Sequence, residues 1–302
     1  MSTGVRWLPL VMLLALGALW GGNLAFSRAL GDLGISPFGV VFWQTALAGA
    51  VLLPLCLARG LRIGVDGRSL AYYFFIGGFG ISLPYGALVL VVGHVSIGFV
   101  SVLVVLSPML TYVFAILMRL ERLSAVRAAG LLLGLAGVAI LVLPSGSLPS
   151  PDALPYALLA LVIPTGYAAA NVYAEWGRPA DTSNESLACG TMLASALLMG
   201  GLGLVDGSFH PAWSQLDRSA LLLLGYGVST VAAFLLFYAV VAAAGAVYLG
   251  QVGYLVTLSG IGWGMLLFGE RHGAALWLAA AIVFAGVALV NFGKPRPVVE
   301  TA

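Results

Sequence analysis

Asn23 stands three residues after Trp20 and four before Ser27, a spacing that puts an indole, an amide and a hydroxyl on one face of a helix. Pro164, Tyr167 and Asn171 repeat that spacing in the second half of the chain. Ser101, Pro108 and Tyr112 share another helical face, as do Gln251 and Tyr254. Ser107, Tyr85, Tyr238 and the adjacent Trp43 and Gln44 belong to the same set of neutral polar and aromatic residues set in apolar sequence. Amides, hydroxyls and indoles do not act as acids or bases near neutral pH. They can hydrogen-bond the polar end of a small net-neutral molecule while rings cover its apolar part. The same side chains also bond neighbouring helices inside membranes, and spacing alone leaves both uses open.

The elements that must position them are helices in a bilayer. Only 8% of the 302 residues are charged and 61% are hydrophobic, against about 25% charged in soluble domains; mean hydropathy is +1.08. A span needs roughly 20 predominantly apolar residues. Ten such stretches are expected, at 8–29, 37–58, 70–92, 98–118, 126–143, 154–173, 186–205, 220–241, 247–268 and 274–292. Strands of a membrane barrel would alternate polar and apolar residues, whereas Leu131 to Leu143 is apolar on every face. The first stretch is too long for the core of a signal peptide and has a counterpart at 154–173, so it is read as a helix.

Charge sets the expected orientation. With the N-terminus in the cytoplasm, ten basic residues fall on that side (Arg6, Arg59, Arg62, Arg68, Arg119, Arg122, Arg127, Arg178, Lys294 and Arg296), against Arg28, Arg218 and Arg271 on the other. That asymmetry predicts both termini inside. It accounts for the net charge of +2 and gives no reason to expect a nucleic acid partner. The two cysteines, Cys56 and Cys189, fall at cytoplasmic span ends and read as free thiols. Trp7, Trp176, Trp213 and Trp277 stand near span ends, where indoles anchor at the interface; Trp20, Trp43 and Trp263 lie deeper.

The chain also repeats itself. The residues AGVA at 136–139 return at 285–288, 149 positions later; the same offset places Glu121-Arg122 on Glu270-Arg271 and Gly78 on Gly227. One residue less places Gly21-Gly22-Asn23 on Ala169-Ala170-Asn171. The reading is a duplicated unit, 1–143 and 154–292, joined by a Pro- and Ser-rich linker at 144–153 and followed by a cytoplasmic tail at 293–302. Five spans per unit is an odd number, so the second unit enters the membrane inverted. Inverted halves suit a central site that opens first to one side and then to the other.

The Gly-Gly-Asn of the first helix, Ser107-Pro108 in a fourth helix ending at Glu121-Arg122, and the AGVA of the fifth together resemble the EamA family of the drug/metabolite transporter superfamily, over about 8–292. The chain is most similar to its bacterial inner-membrane exporters of aromatic and other neutral amino acids. The resemblance implies an all-helical protein with ten spans around a central cavity, alternating access, no cofactor, and peripheral fifth and tenth helices. Thr257 stands where the first unit has Pro108, a departure that puts equivalent motion of the two halves in doubt.

Every Asp and Glu lies in a loop or at a span end, and the only Lys is Lys294. Intramembrane charge usually marks ion coupling or a charged substrate, so the expectation is a net-neutral substrate moving down its gradient. The first-helix glutamate of the superfamily's small multidrug exporters has no counterpart here. A drug or lipophilic-cation exporter is the alternative, because aromatic rings also attract cations. A membrane-embedded enzyme is a remote third: His94, His210 and His272 fall in separate loops, and no metal or nucleophile motif is present.

Pro84, Pro108 and Pro164 fall near the centres of their helices, where each removes a backbone donor, and read as hinges or static kinks. Gly130-x-x-x-Gly134 and Ala281-x-x-x-Ala285 offer small faces for close helix contact in the fifth and tenth spans. With both halves in one chain, a monomer in the lipid bilayer is sufficient for the cavity.

Overall fold

The computed structural model describes residues 7–91, 104, 106–142, 154–207 and 218–268, and in the last predicted span residues 278, 281–282, 285–286 and 288–290. Among these every regular element is a helix. The linker, the tail, the three histidines, Ser101, Trp213, Trp277 and Glu270-Arg271 lie outside the described residues.

Helix α1 (Leu8–Asp32) turns at Gly34, which adopts φ +80°, into α2 (Pro37–Ala58). Ser36 caps α2 by accepting the Gly39 N–H at 3.1 Å, and Pro37 occupies the first helical position, where no donor is needed. Asp66 caps α3 (Gly67–Gly77) through the N–H groups of Arg68 and Ser69. The helix then widens into a π-helical turn at Gly78–Ser82 before α4 (Leu83–Val91). Pro84 explains the slip: it offers no N–H to the Gly80 carbonyl and its ring crowds that turn.

Helix α5 (Leu106–Leu117) ends near Arg119 at φ 60° and leads to α6 (Ala125–Val142). The second unit opens with α7 (Leu154–Ala160) and α8 (Val162–Trp176), broken at Leu161, where Pro164 withdraws the donor that the Ala160 carbonyl would use. Then follow α9 (Asn184–Asp206), α10 (Arg218–Ala244), α11 (Ala246–Gly250) and α12 (Val252–Phe268). Gly245, at φ +84°, separates α10 from α11, and a turn at Gln251 separates α11 from α12.

Four described helices are long and apolar enough to cross a membrane unaided, Leu8–Asp32, Pro37–Ala58, Asn184–Val205 and Arg218–Ala244. Of the other predicted spans, the fifth is the continuous helix α6, the third, sixth and ninth are interrupted at Gly78–Ser82, Leu161 and Gln251, and the fourth and tenth are described only in part.

Three helix pairs fix the arrangement. Helices α2 and α9 cross antiparallel, with Gly200 against Phe42, Gly49 against Leu193, Cys56 facing Cys189, and Arg59 paired to Glu185 at 3.3 Å. Helix α6 and the last helical stretch also run antiparallel: Gly130 lies against Leu289 and Val290, and Gly134 against Gly286. Helices α1 and α12 run parallel, with Gly17 on Leu255, Gly21 on Ser259, and Ser259 Oγ donating to the Gly17 carbonyl. Lipid is as apolar as leucine, so such contacts are held by close packing and hydrogen bonds more than by the hydrophobic effect. The largest buried cluster gathers Leu13, Leu16, Leu52, Tyr72, Met192, Phe237, Tyr238 and their neighbours between α1, α2, α3, α9 and α10.

One expected contact moves by a residue. Ala281 and Ala285 face outward, and the close approach to Gly130 is made by Gly286, where an added Cβ would stand 2.6 Å from the Gly130 carbonyl. One residue along a helix is a turn of about 100°, enough to exchange an alanine face for the glycine of the second AGVA. Trp7 and Trp176 are 67% and 56% exposed, whereas Trp263 uses its indole N–H on the Ala18 carbonyl at 3.0 Å.

Candidate functional site

The predicted site residues separate into two layers. One end of the bundle carries Arg59, Arg122, Arg127 and Arg178 in its turns and helix ends, and is called the basic end; the turn between α1 and α2 lies at the opposite end.

The layer toward the opposite end joins the two halves of the chain. Ser229 Oγ on α10 donates to Asn23 Oδ1 on α1 at 2.6 Å. One turn further, Ser27 Oγ and Tyr226 Oη lie 2.9 Å apart, and Tyr226 Oη also meets Tyr85 Oη of α4 at 3.4 Å. Tyr167 of α8 lies in the neighbourhood of both Tyr85 and Tyr226. Phe26 stacks on the Tyr226 ring at 5.6 Å, and Trp20 packs on Phe234 and Phe237 at 6.0 and 5.9 Å. Trp43 meets Phe42 edge-on at 5.0 Å. Its neighbour Gln44 is buried with Oε1 unpartnered, as is the hydroxyl of Thr230, one turn of α10 beyond Tyr226. These are neutral donors and acceptors beside rings, drawn from α1, α2, α4, α8 and α10.

The second layer lies nearer the basic end. Asn171 Nδ2 donates to Thr111 Oγ1 at 3.3 Å, and Thr111 in turn donates to the Ser107 carbonyl at 2.8 Å. Tyr238 Oη pairs with Thr191 Oγ1 at 2.5 Å, and Tyr72 donates to the Ala174 carbonyl at 2.9 Å. Gln251 belongs to neither pair. It is completely buried at the break between α11 and α12, and neither its Oε1 nor its Nε2 has a partner in the protein.

Two predicted residues are used elsewhere. Tyr112 Oη donates to the Arg122 carbonyl at 3.0 Å and accepts the Ser124 N–H at 2.7 Å, stapling the turn between α5 and α6. Tyr254 reaches the Leu131 carbonyl at 3.5 Å and packs on Gly134, holding α12 to α6. Their spacing shares a face with Ser101 and Gln251, but a tyrosine is long enough to leave its helix for a neighbouring turn.

The interruptions at Pro84 and Pro164 face one another. A Cβ on Gly166 would stand 2.6 Å from the Phe79 carbonyl and 3.3 Å from the Pro84 ring, so the π-helical turn and the broken helix touch backbone to backbone. An apolar hollow of about 380 Å³, lined by Phe79, Leu83, Phe114, Leu158, Leu161 and Thr165, opens beside that contact. Pro108 packs near Gly253 just after the α11–α12 break.

Tyr226, Ser229, Thr230, Thr191 and Tyr72 were not singled out by sequence. The first three carried a signal, Tyr226 with Ser229 and Thr230 at i, i+3 and i+4, which share one helical face as Trp20, Asn23 and Ser27 do. Thr191 and Tyr72 carried none, since their role depends on partners distant in the chain.

The described carboxylates and guanidinium groups lie in turns and at helix ends. No three described His, Cys, Asp or Glu residues converge as a metal site would require.

Comparison with known proteins gives the same architecture a context. No curated protein matches the sequence. A protein crystal structure with 21% identity superposes with a TM-score of 0.74, covering 96% of this chain and 99% of that one, a likeness that shows the fold alone. The EamA-like transporter family matches residues 7–143 and again residues 154–292, the two units in turn. With both matches spanning nearly the whole sequence, the chain belongs to the EamA-like transporter family, whose members are membrane transporters.

Proposed function

We propose that this protein is a bacterial inner-membrane exporter of neutral amino acids, aromatic and other apolar ones foremost, working by alternating access and without a coupling ion. The observation that carries the reading is the set of buried and half-buried neutral groups where helices of the two units meet. Asn23, Ser27, Tyr85, Tyr167, Tyr226 and Ser229 cluster beside Trp20 and Phe234, while Gln44, Thr230 and Gln251 keep polar atoms without protein partners. Buried amides and hydroxyls are almost always satisfied. Three exceptions bordering one core suit groups that serve a passing amino and carboxyl group.

The antiparallel crossings of α2 with α9, and of α6 with the last helical stretch, pair corresponding helices of the two units and support the inverted-repeat arrangement. The basic end is assigned to the cytoplasm, with both termini, on the excess of arginine there. The complete pair of units in one chain favours a monomer.

Efflux of labelled phenylalanine, methionine and threonine from liposomes holding the purified protein, with and without a pH gradient, tests the reading. Saturable efflux indifferent to the gradient is expected. Lipophilic-cation movement driven by the gradient, with no amino acid flux, would replace it with a drug exporter.

A further inference from the structure

Glu175 is used by none of the pairs above, and its surroundings are unusual. It stands at the last turn of α8, two residues past the predicted end of the sixth span, and is half-buried. Its Oε2 accepts the backbone N–H of Ala246, the first residue of α11, at 2.5 Å. Ala246 follows the break at Gly245, so its N–H has no carbonyl in its own helix to meet, and a side chain from another segment satisfies it. Gly245 suits the break because its φ is +84°, and an added Cβ would stand 3.1 Å from Glu175 Oε2, close enough to make the carboxylate shift. The contact ties the end of the sixth span to the start of the ninth.

A half-buried carboxylate ordinarily has a cation beside it. Here the charged group that acts on it is Glu121, on the turn after α5, whose own cation is Arg127 at 2.6 Å, while Arg178, three residues past Glu175, is engaged by the Thr182 carbonyl and Asn184 Oδ1. Among the described residues the groups facing Glu175 are therefore one favourable backbone N–H, one like charge, and the apolar surroundings that remove water.

We propose that Glu175 is a proton-binding site that governs how readily the basic end opens: with Glu175 protonated, α8 and the α10–α11 junction stay joined, and with it ionised they part more readily. The sign follows from the environment. Loss of water, then repulsion from Glu121, push the Glu175 carboxyl above its ordinary value of 4.5, and the Ala246 N–H offsets this only in part. An ionised carboxylate gains water when the contact parts, so protons bind the joined form more tightly. The joined form is fully favoured below the ordinary carboxylate pKa and loses that advantage as pH rises through the raised one.

The first unit has no counterpart of this device. The alignment that pairs Asn23 with Asn171 pairs Glu175 with Ser27, which meets the Tyr226 hydroxyl and carries no charge. Among the described residues the device therefore sits at the basic end. A group that meets water at one end alone sets how often that end opens; it does not drive uphill flux, so the site is compatible with transport without a coupling ion. Naming this end cytoplasmic rests on the proposed topology, and the test below needs neither sidedness nor a substrate.

Spin labels at Ala180→Cys and Ala243→Cys, both exposed, in a Cys56→Ser, Cys189→Ser background, report the separation of the two segments by pulsed electron paramagnetic resonance in nanodiscs. Between about pH 4 and pH 8 the short-distance population is expected to fall as pH rises, with the long-distance one at least roughly doubling. Glu175→Gln, which keeps an acceptor without the charge, is expected to hold the short distance throughout. A wild-type distribution indifferent to pH overturns the proposal, as does a response that persists unchanged in Glu175→Gln. Amino acid flux failing in the liposomes while this titration succeeds would remove the proposed substrate and leave the proton site standing.

Discussion

Asn23 and Ser229 lie 206 residues apart in the chain and meet at 2.6 Å, Ser229 donating to the Asn23 amide oxygen. This is the shortest polar link between α1 and α10 described here, and it lies in the layer where the two units share aromatic and amide groups. Asn23→Ala leaves the Ser229 hydroxyl without its acceptor and should lower stability by about 1 kcal/mol. Ser229→Ala should cost less, because the Asn23 amide can turn to another donor. If the amide serves substrate, Asn23→Ala lowers efflux severalfold while Ser229→Ala does not. Equal losses in both variants, tracking melting temperature, would mark the pair as packing only.

Tyr226 gives one hydroxyl to two partners, Ser27 and Tyr85, and stacks its ring on Phe26. Tyr226→Phe keeps the stack and removes both hydrogen bonds. The expected result is an intact, monodisperse protein with altered substrate affinity, read as a change in the concentration giving half-maximal efflux. Tyr226→Ala should also destabilise, by roughly 3 kcal/mol or more, because the buried ring is lost as well.

Gln251 offers the sharpest division between stability and function. Both of its polar atoms are buried and unpartnered, a condition that costs about 1–3 kcal/mol relative to a satisfied or apolar side chain. Gln251→Leu should therefore raise the melting temperature and lower efflux. A variant that melts lower than the parent would mean that an ordered water satisfies the amide, and Gln251 would then lose its place in the proposed pathway.

Gly130 cannot accept a side chain without moving another backbone, since its Cβ would stand 2.8 Å from the Gly286 carbonyl. Gly130→Val should cost about 1–3 kcal/mol by overpacking and lower the melting temperature. Ala285→Val, on the outward face of the same stretch, should be close to neutral. Reversal of that order would displace the contact from Gly286.

Much of this fold was legible because membrane helices announce themselves by composition and because the repeat supplied a check internal to the chain. Asn23, Gln44, Tyr85 and Tyr167 could be named from residue type and spacing, and the structure gathers them with residues of the same kind. Tyr112 and Tyr254 were drawn elsewhere because helical spacing fixes where a Cα lies and not how far a long side chain reaches. The breaks at Leu161 and in the turn before Pro84 could be anticipated from proline. The break at Gly245 carried no such mark, one glycine among 40, and only the coordinates show that Glu175 sits against it. Gly286 in place of Ala285 reflects the limit of reading a face from small residues alone, since neighbouring alanines and glycines offer several stripes.

The crossing of α2 and α9 bears on how the protein is made. Phe42 waits for Gly200, and Gly49 for Leu193, so residues synthesised early must remain in the bilayer without their partners until a further 140 or more have followed. During that interval Val41, Ala48, Leu52 and Cys56, all buried at completion, face lipid or whatever chaperone meets a half-made chain. The first unit is therefore an incomplete object on its own: the face of α2 that α9 covers would stay open, and expressed alone the unit would be expected to aggregate or be degraded unless the second unit is supplied as a separate polypeptide.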